Sequence, residues 1–281
     1  MDLSGKIDNT LLGVLRDVSQ AAALLGIPFF VIGATARDIV LEHGFGIKPG
    51  RATRDLDLGV RVADWQEFQA LTNALLASKE FTASSAAQRL FHRVSNLPVD
   101  IVPFGEIASG GAILWPPQQE VEMNLLGFEE AYAHAWVVRL SNDLEIPFVS
   151  PAVWALLKII SWHDRDLSFR VKDAQDLAMI LLNYAGAGNV DRLYGEKSAL
   201  LQEEGYALES AGARLLGRDI AEIGQPETVR KIMEILEKET RAQSKYRLVA
   251  EMTANRFAKE DLFEEHLHLL MKLKQGISEV I

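Results

Sequence analysis

Cysteine is absent from this chain of 281 residues, so it can form no disulfide, thiol nucleophile or cysteine–zinc site. Proline almost disappears beyond the midpoint: eight of nine lie at or before Pro151, and only Pro226 follows. No uncharged apolar run reaches the roughly 18 residues that a membrane-spanning helix requires, so no membrane association is expected. The start, Met1-Asp2-Leu3-Ser4-Gly5-Lys6, lacks the basic-then-apolar order of a signal peptide, and the expected location is the cytoplasm. A basic excess is missing too. The net charge of −10 argues against a broad nucleic-acid-binding surface, although a local basic groove stays compatible with it. No serine stands in a Gly-x-Ser-x-Gly elbow, and no Gly-x-x-x-x-Gly-Lys-Ser/Thr loop occurs. The six histidines are scattered; His266 and His268 are two apart on an expected helix and do not face each other.

What is present divides at Ser150-Pro151. Twelve of twenty glycines and most of the acidity fall before that point. Residues 1–150 read as a domain of mixed strands, turns and helices, and residues 151–281 as a helical domain. Apolar spacing predicts a helix over Leu11–Leu25. Pro28–Ile32 reads as a buried strand that turns at Gly33 into a short helix, Thr35–Leu41. His43–Arg51 is a loop, Asp55–Val60 a strand, and Asp64 the cap of a helix through Leu76. Arg89–Val94 and Val99–Phe104 are strands, Gly105–Met123 is irregular, and Trp136–Ser141 and Ile146–Val149 are further strands. Beyond Ser150, helices are expected over 151–162, 171–184, 207–223, 227–240, 243–256 and 259–274.

The chemistry-bearing stretch is Arg51-Ala52-Thr53-Arg54-Asp55-Leu56-Asp57-Leu58. On a strand, residues i and i+2 share a face, so Asp55 and Asp57 point the same way. Asp100 is the lone charge in Pro98-Val99-Asp100-Ile101-Val102-Pro103. Three converging carboxylates repel one another, and a divalent cation removes that cost. Asp55, Asp57 and Asp100 are therefore candidate metal ligands, and Asp100 is also a candidate general base. The competing reading pairs the aspartates with Arg51 and Arg54. Upstream, the strand-to-helix turn Gly33-Ala34-Thr35 exposes backbone N–H groups suited to an anion. In the second half, Lys158 lies in an apolar helix, and Lys172, Asp173 and Asp176 fall on one helix surface, which reads equally as a solvated charged face.

A glycine turn opening a helix, then Asp-x-Asp, then a third aspartate on a later strand resembles the DNA polymerase β-like nucleotidyltransferases. Within that superfamily the chain is most similar to the AbiEii/AbiGii-type nucleotidyltransferases, many of them toxins of toxin–antitoxin pairs. Two stretches carry the resemblance: Gly33 with Arg51–Leu58, and Leu156-Leu157-Lys158-Ile159 followed by Arg170-Val171-Lys172-Asp173-Ala174-Gln175-Asp176-Leu177. It implies an α+β fold, a nucleotidyltransferase-type mixed sheet flanked by helices with a C-terminal helical domain, and a nucleotide in the cleft between the two lobes. It implies Mg²⁺, two ions in all, on Asp55, Asp57 and Asp100. It also implies an NTP contacted by Gly33, Ala34, Thr35, Arg54, Lys158, Asp173 and Asp176. The turn's usual second residue is Gly or Ser; here it is Ala34, with the Thr35 hydroxyl as the available replacement. The implied reaction moves a nucleoside monophosphate to an acceptor hydroxyl on tRNA, protein or a small molecule, with an antitoxin protein as a partner. Alternatives are a tRNA CCA-adding or poly(A) polymerase-like enzyme, whose Gly-Gly-x-x-Arg-Asp resembles Gly33–Asp38, an aminoglycoside nucleotidyltransferase, and a catalytically silent nucleotide-binding or partner module.

Overall fold

The computed structural model describes residues 1–50, 53–116, 121–254 and 260–281. Arg51 lies outside them, as do parts of the expected irregular segment and of the last two expected helices. The chain forms two compact units, Met1–Ser150 and Pro151–Ile281.

The first unit runs α1 (Asn9–Leu25), β1 (Phe29–Ile32), α2 (Gly33–Arg37), β2 (Leu56–Arg61), α3 (Trp65–Ala77), β3 (Phe81–Ala83), β4 (Arg89–His92), β5 (Pro98–Phe104), β6 (Ala112–Leu114), β7 (Glu122–Asn124), α4 (Phe128–Ala133), β8 (Trp136–Ser141) and β9 (Leu144–Phe148). Local chemistry explains the boundaries. The Asp8 carboxylate accepts from Thr10 N at 2.8 Å and Leu11 N at 3.3 Å, and Gly26 ends α1 in the left-handed region at φ 67°. Asp64 caps α3 in the same way, accepting from Gln66 N and Glu67 N.

Seven strands make one mixed sheet in the order β3-β4-β5-β2-β1-β9-β8. β2 pairs antiparallel with β1 and parallel with β5, and β1 is parallel to β9. The centre is a continuous apolar layer: Phe30, Val31, Leu56, Leu58, Val60, Val99 and Ile101 are all buried. Phe30 meets Phe104 and Tyr132 edge-on, and Gly59 leaves the space its ring fills, since a Cβ there would strike the ring. Burying one such phenylalanine contributes roughly 1.5–3 kcal/mol. At the β8 edge the chain start adds a strand-like segment: Leu3 N donates to Arg139 O at 2.8 Å and Arg139 N to Met1 O at 2.9 Å. That pairing satisfies backbone groups that an open edge would expose.

The second unit is helical: α5 (Pro151–Asp164), α6 (Leu167–Asn183), α7 (Val190–Tyr194), α8 (Ser198–Glu203), α9 (Leu208–Ile223), α10 (Pro226–Glu239), α11 (Arg247–Met252) and α12 (Glu260–Ser278). α9 and α12 approach closely through Gly217 and Gly276: a Cβ on either would strike the other helix's backbone, at Leu273 O and Arg214 O respectively.

Several expectations need correction. Gly105–Met123 is not wholly irregular, because β6 pairs antiparallel with β7 across it. These strands have three residues each, too few to show an alternation pattern. The helix after Gly33 begins at Gly33 itself, and residues 38–43 continue as a wider π-helical turn. β3 and α4 fall where no element is expected; Gly127, at φ 90°, sets the start of α4. The expected helix over 243–256 shrinks to α11, preceded by Lys245 and Tyr246 in the left-handed region. Residues 185–203, left unassigned, hold a π-helical turn, α7 and α8. No helix among the described residues is long and apolar enough to cross a membrane.

Candidate active site

The register of β2 against β5 sets Asp57 directly beside Asp100. Paired residues of neighbouring strands share a sheet face, and Asp55, two residues before Asp57, adds a third carboxylate on that side. One oxygen from each of Asp55, Asp57 and Asp100 lies within 4.8 Å of the others, and all three residues are half-buried. Their neighbours Leu56, Leu58 and Val99 point into the core. Sequence alternation thus anchors the strands from behind and presents the carboxylates in front.

Gly33 closes the site from β1. Its φ of 70° lies in the left-handed region, and a Cβ there would collide with the Asp57 carboxylate. Both facts require glycine: a side chain would be strained and would displace Asp57. Thr35 Oγ1 donates to the Asp55 carbonyl oxygen at 2.6 Å, and Thr53 Oγ1 donates to Asp55 Oδ1 at 2.7 Å. The Thr35 side chain is buried, so its hydroxyl positions Asp55 and is not turned outward for a phosphate. Ala34 is also buried, and Arg54 is exposed.

Asp100 carries a partner that sequence reasoning missed. Arg89, opposite it on β4, donates from Nε to Oδ1 at 2.7 Å and from Nη2 to Oδ2 at 2.6 Å. The Asp100 hydrogen bonds, and after them the charges of Asp100, Asp55 and Asp57, raise the Arg89 pKa above its ordinary value. Only the β4–β5 register brings these two together; Arg-Leu-Phe-His carries no sequence signal of it. Thr53 lies inside the motif and was assigned no role.

Lys158, Asp173 and Asp176 meet inside the helical unit. Lys158 Nζ is 2.7 Å from Asp173 Oδ1 and 2.8 Å from Asp176 Oδ2, and Arg165 also reaches Asp173 at 3.0 Å. Asp173 and Asp176 are buried, so they are not the solvated face that spacing permitted. Lys158 also lies over the Trp154 ring at 5.5 Å. Such a satisfied network of buried charges joins α5 to α6.

The arrangement in the first unit is that of a nucleotidyltransferase: a mixed sheet, a glycine turn, and paired aspartates beside a third. Residues 16–244 match the family described as "Nucleotidyl transferase AbiEii toxin, Type IV TA system", and the chain belongs to that family. No curated protein matches it. Solved structures similar to it include an antigenic nucleotidyltransferase-like protein from Paracoccidioides brasiliensis, at 20% identity and TM-score 0.41, covering 71% of this chain and 90% of that one. Another is the antibiotic-resistance factor ANT(2'')-Ia, at 12% identity and TM-score 0.36, covering 71% and 99%. A third is the Thermotoga maritima CCA-adding enzyme complexed with tRNA, at 10% identity and TM-score 0.26, covering 99% and 83%.

Proposed function

We propose that this chain is a magnesium-dependent nucleotidyltransferase that moves a nucleoside monophosphate from an NTP to an acceptor hydroxyl, and that it acts as the toxin of a toxin–antitoxin pair. The observation that carries this reading is the cluster of Asp55, Asp57 and Asp100 against Gly33. The donor set fits a hard cation: three carboxylates, half-buried, with no softer ligand among them. Asp55 and Asp57 would hold the ions, with Asp100 as the third ligand. Held there, Mg²⁺ would supply neutralisation of the phosphate charge.

The chain's own residues do the rest. Thr53 and Thr35 hold Asp55 in place from two sides. The turn at Gly33 leaves the space that the Asp57 carboxylate occupies and offers backbone to phosphate oxygens. Asp100, once released by Arg89, accepts the acceptor's proton. The acceptor oxygen bonds to the α-phosphorus, the bond from that phosphorus to the bridging oxygen breaks, and pyrophosphate leaves. Positioning and charge neutralisation supply most of the rate. The family's setting makes an antitoxin protein the expected partner, and tRNA is one candidate acceptor.

The test is Asp57→Asn. Incubation with labelled NTPs, Mg²⁺ and total RNA or protein should label an acceptor with the native chain and not with the variant, while the circular dichroism of the two is the same. Equal labelling by the variant would refute the metal role.

A further inference from the structure

Four residues of the first unit stand in one row across the adjacent strands β1, β2, β5 and β4. The register pairs Ile32 with Asp57, Asp57 with Asp100, and Asp100 with Arg89. Neighbouring strands lie about 4.8 Å apart, so the row is roughly 14 Å long. Gly33, next after Ile32, marks one end and Arg89 the other, with the Asp57 and Asp100 carboxylates between them. In the reaction proposed above, the triphosphate lies at the Gly33 end and the acceptor hydroxyl at Asp100. Whatever carries that hydroxyl therefore comes next to Arg89.

Arg89 has donors to spare for a second anion. A guanidinium presents five N–H groups in a planar fork. Two of them serve Asp100, from Nε to Oδ1 at 2.7 Å and from Nη2 to Oδ2 at 2.6 Å. The remaining three, both on Nη1 and one on Nη2, make no hydrogen bond among the described residues. They belong to the more open member of the pair: the Arg89 side chain is 36% exposed, that of Asp100 16%. Such a fork matches a phosphate group as well as a carboxylate. It would repel a cationic acceptor such as an aminoglycoside, and a protein hydroxyl brings it no anion. The terminal hydroxyl of a polynucleotide does, because the last phosphodiester is one nucleoside away. A contact with a single phosphate is also compatible with a net charge of −10, which lacks the basic excess of a broad nucleic-acid surface.

We infer that Arg89 recognises the acceptor: its unused N–H groups bind the last phosphodiester of a polynucleotide whose terminal hydroxyl receives the nucleotide. The inference rests on the nucleotidyltransferase reading and names the acceptor class of that same site. The contact draws the guanidinium toward the phosphate and loosens its hold on Asp100, so that the base is released when an acceptor is in place.

The experiment follows, by fluorescence anisotropy without NTP, the binding of short single-stranded oligonucleotides to the full chain. An RNA and a DNA of one sequence are each made with a natural last linkage and with an uncharged methylphosphonate in its place. For at least one of the two nucleic acids, the native chain should bind the natural end about tenfold or more tighter than the neutral one. Arg89→Gln should lose that difference, while its affinity for an NTP in saturating Mg²⁺, measured by calorimetry, stays close to that of the native chain. Circular dichroism checks the fold of the variant. A native chain that binds NTP but treats the two ends alike, or binds no oligonucleotide, overturns the Arg89 contact alone, as does a variant that still tells the ends apart. A native chain that binds neither NTP nor oligonucleotide overturns the underlying reading as well.

Discussion

Arg89 grips Asp100 with two parallel hydrogen bonds across adjacent strands, so the third carboxylate of the aspartate cluster is already paired. Under the proposed function, a cation arriving at Asp55 and Asp57 would compete with a guanidinium for Asp100. The Arg89 side chain is partly exposed, at 36%. The pair would therefore set how readily Asp100 joins a metal in the proposed reaction.

Arg89→Ala should tighten binding of Mn²⁺ to the protein without nucleotide, by several-fold. A partly exposed ion pair is worth about 1 kcal/mol or less, which bounds both the gain in affinity and the loss in stability. Calorimetric titration of the two proteins checks the first, and a denaturant midpoint the second. Weaker Mn²⁺ binding in the variant would mean that Arg89 supports the site.

Gly33→Ala should remove nucleotide transfer and lower stability together. The added carbon meets a positive φ and the Asp57 carboxylate at once. The backbone strain alone costs roughly 1–3 kcal/mol. The check is a comparison with Gly13→Ala on α1, where a Cβ meets nothing within 4 Å: that variant should keep both stability and activity.

Gly276→Ala should destabilise the helical unit. α9 and α12 touch backbone to backbone at this point, so the two helices must move apart to admit a methyl group. Overpacking of this kind typically costs about 1–3 kcal/mol. Differential scanning calorimetry should show a lower Tm, and an unchanged Tm would contradict the close approach.

Alkaline pH should destabilise the fold through Tyr184. Burial, and then the Asp219 charge, push its phenol well above its ordinary value of 10.0. A folded-state pKa raised above the unfolded one means that the unfolded chain releases its proton first. Stability is full below the unfolded pKa and falls as pH rises from about 10 toward the folded value. Urea midpoints from about pH 9 to 11 should decline in the native chain and decline less steeply in Tyr184→Phe. Asp219 keeps its two bonds to Arg192 in that variant, at 2.7 and 2.8 Å, so the core should tolerate it.

Much of the fold was legible before any coordinates. Asp64 begins a helix because a short acidic side chain satisfies the free N–H groups of a first turn, and that chemistry is local. Phe29–Ile32 and Leu56–Val60 declare themselves by apolar runs and alternation, which also turn Asp55 and Asp57 to one face. The three-residue strands β6 and β7 are too short to carry a period, and so they escaped notice.

Residue order alone determined that two aspartates share a face, that a glycine turn precedes them, and that the second half is helical, because these follow from the periods of strand and helix. Which strand lies beside which is decided only when the chain collapses, since pairing depends on packing between distant segments. That step set Asp100 beside Asp57, gave Asp100 to Arg89, and pressed Gly33 against a carboxylate.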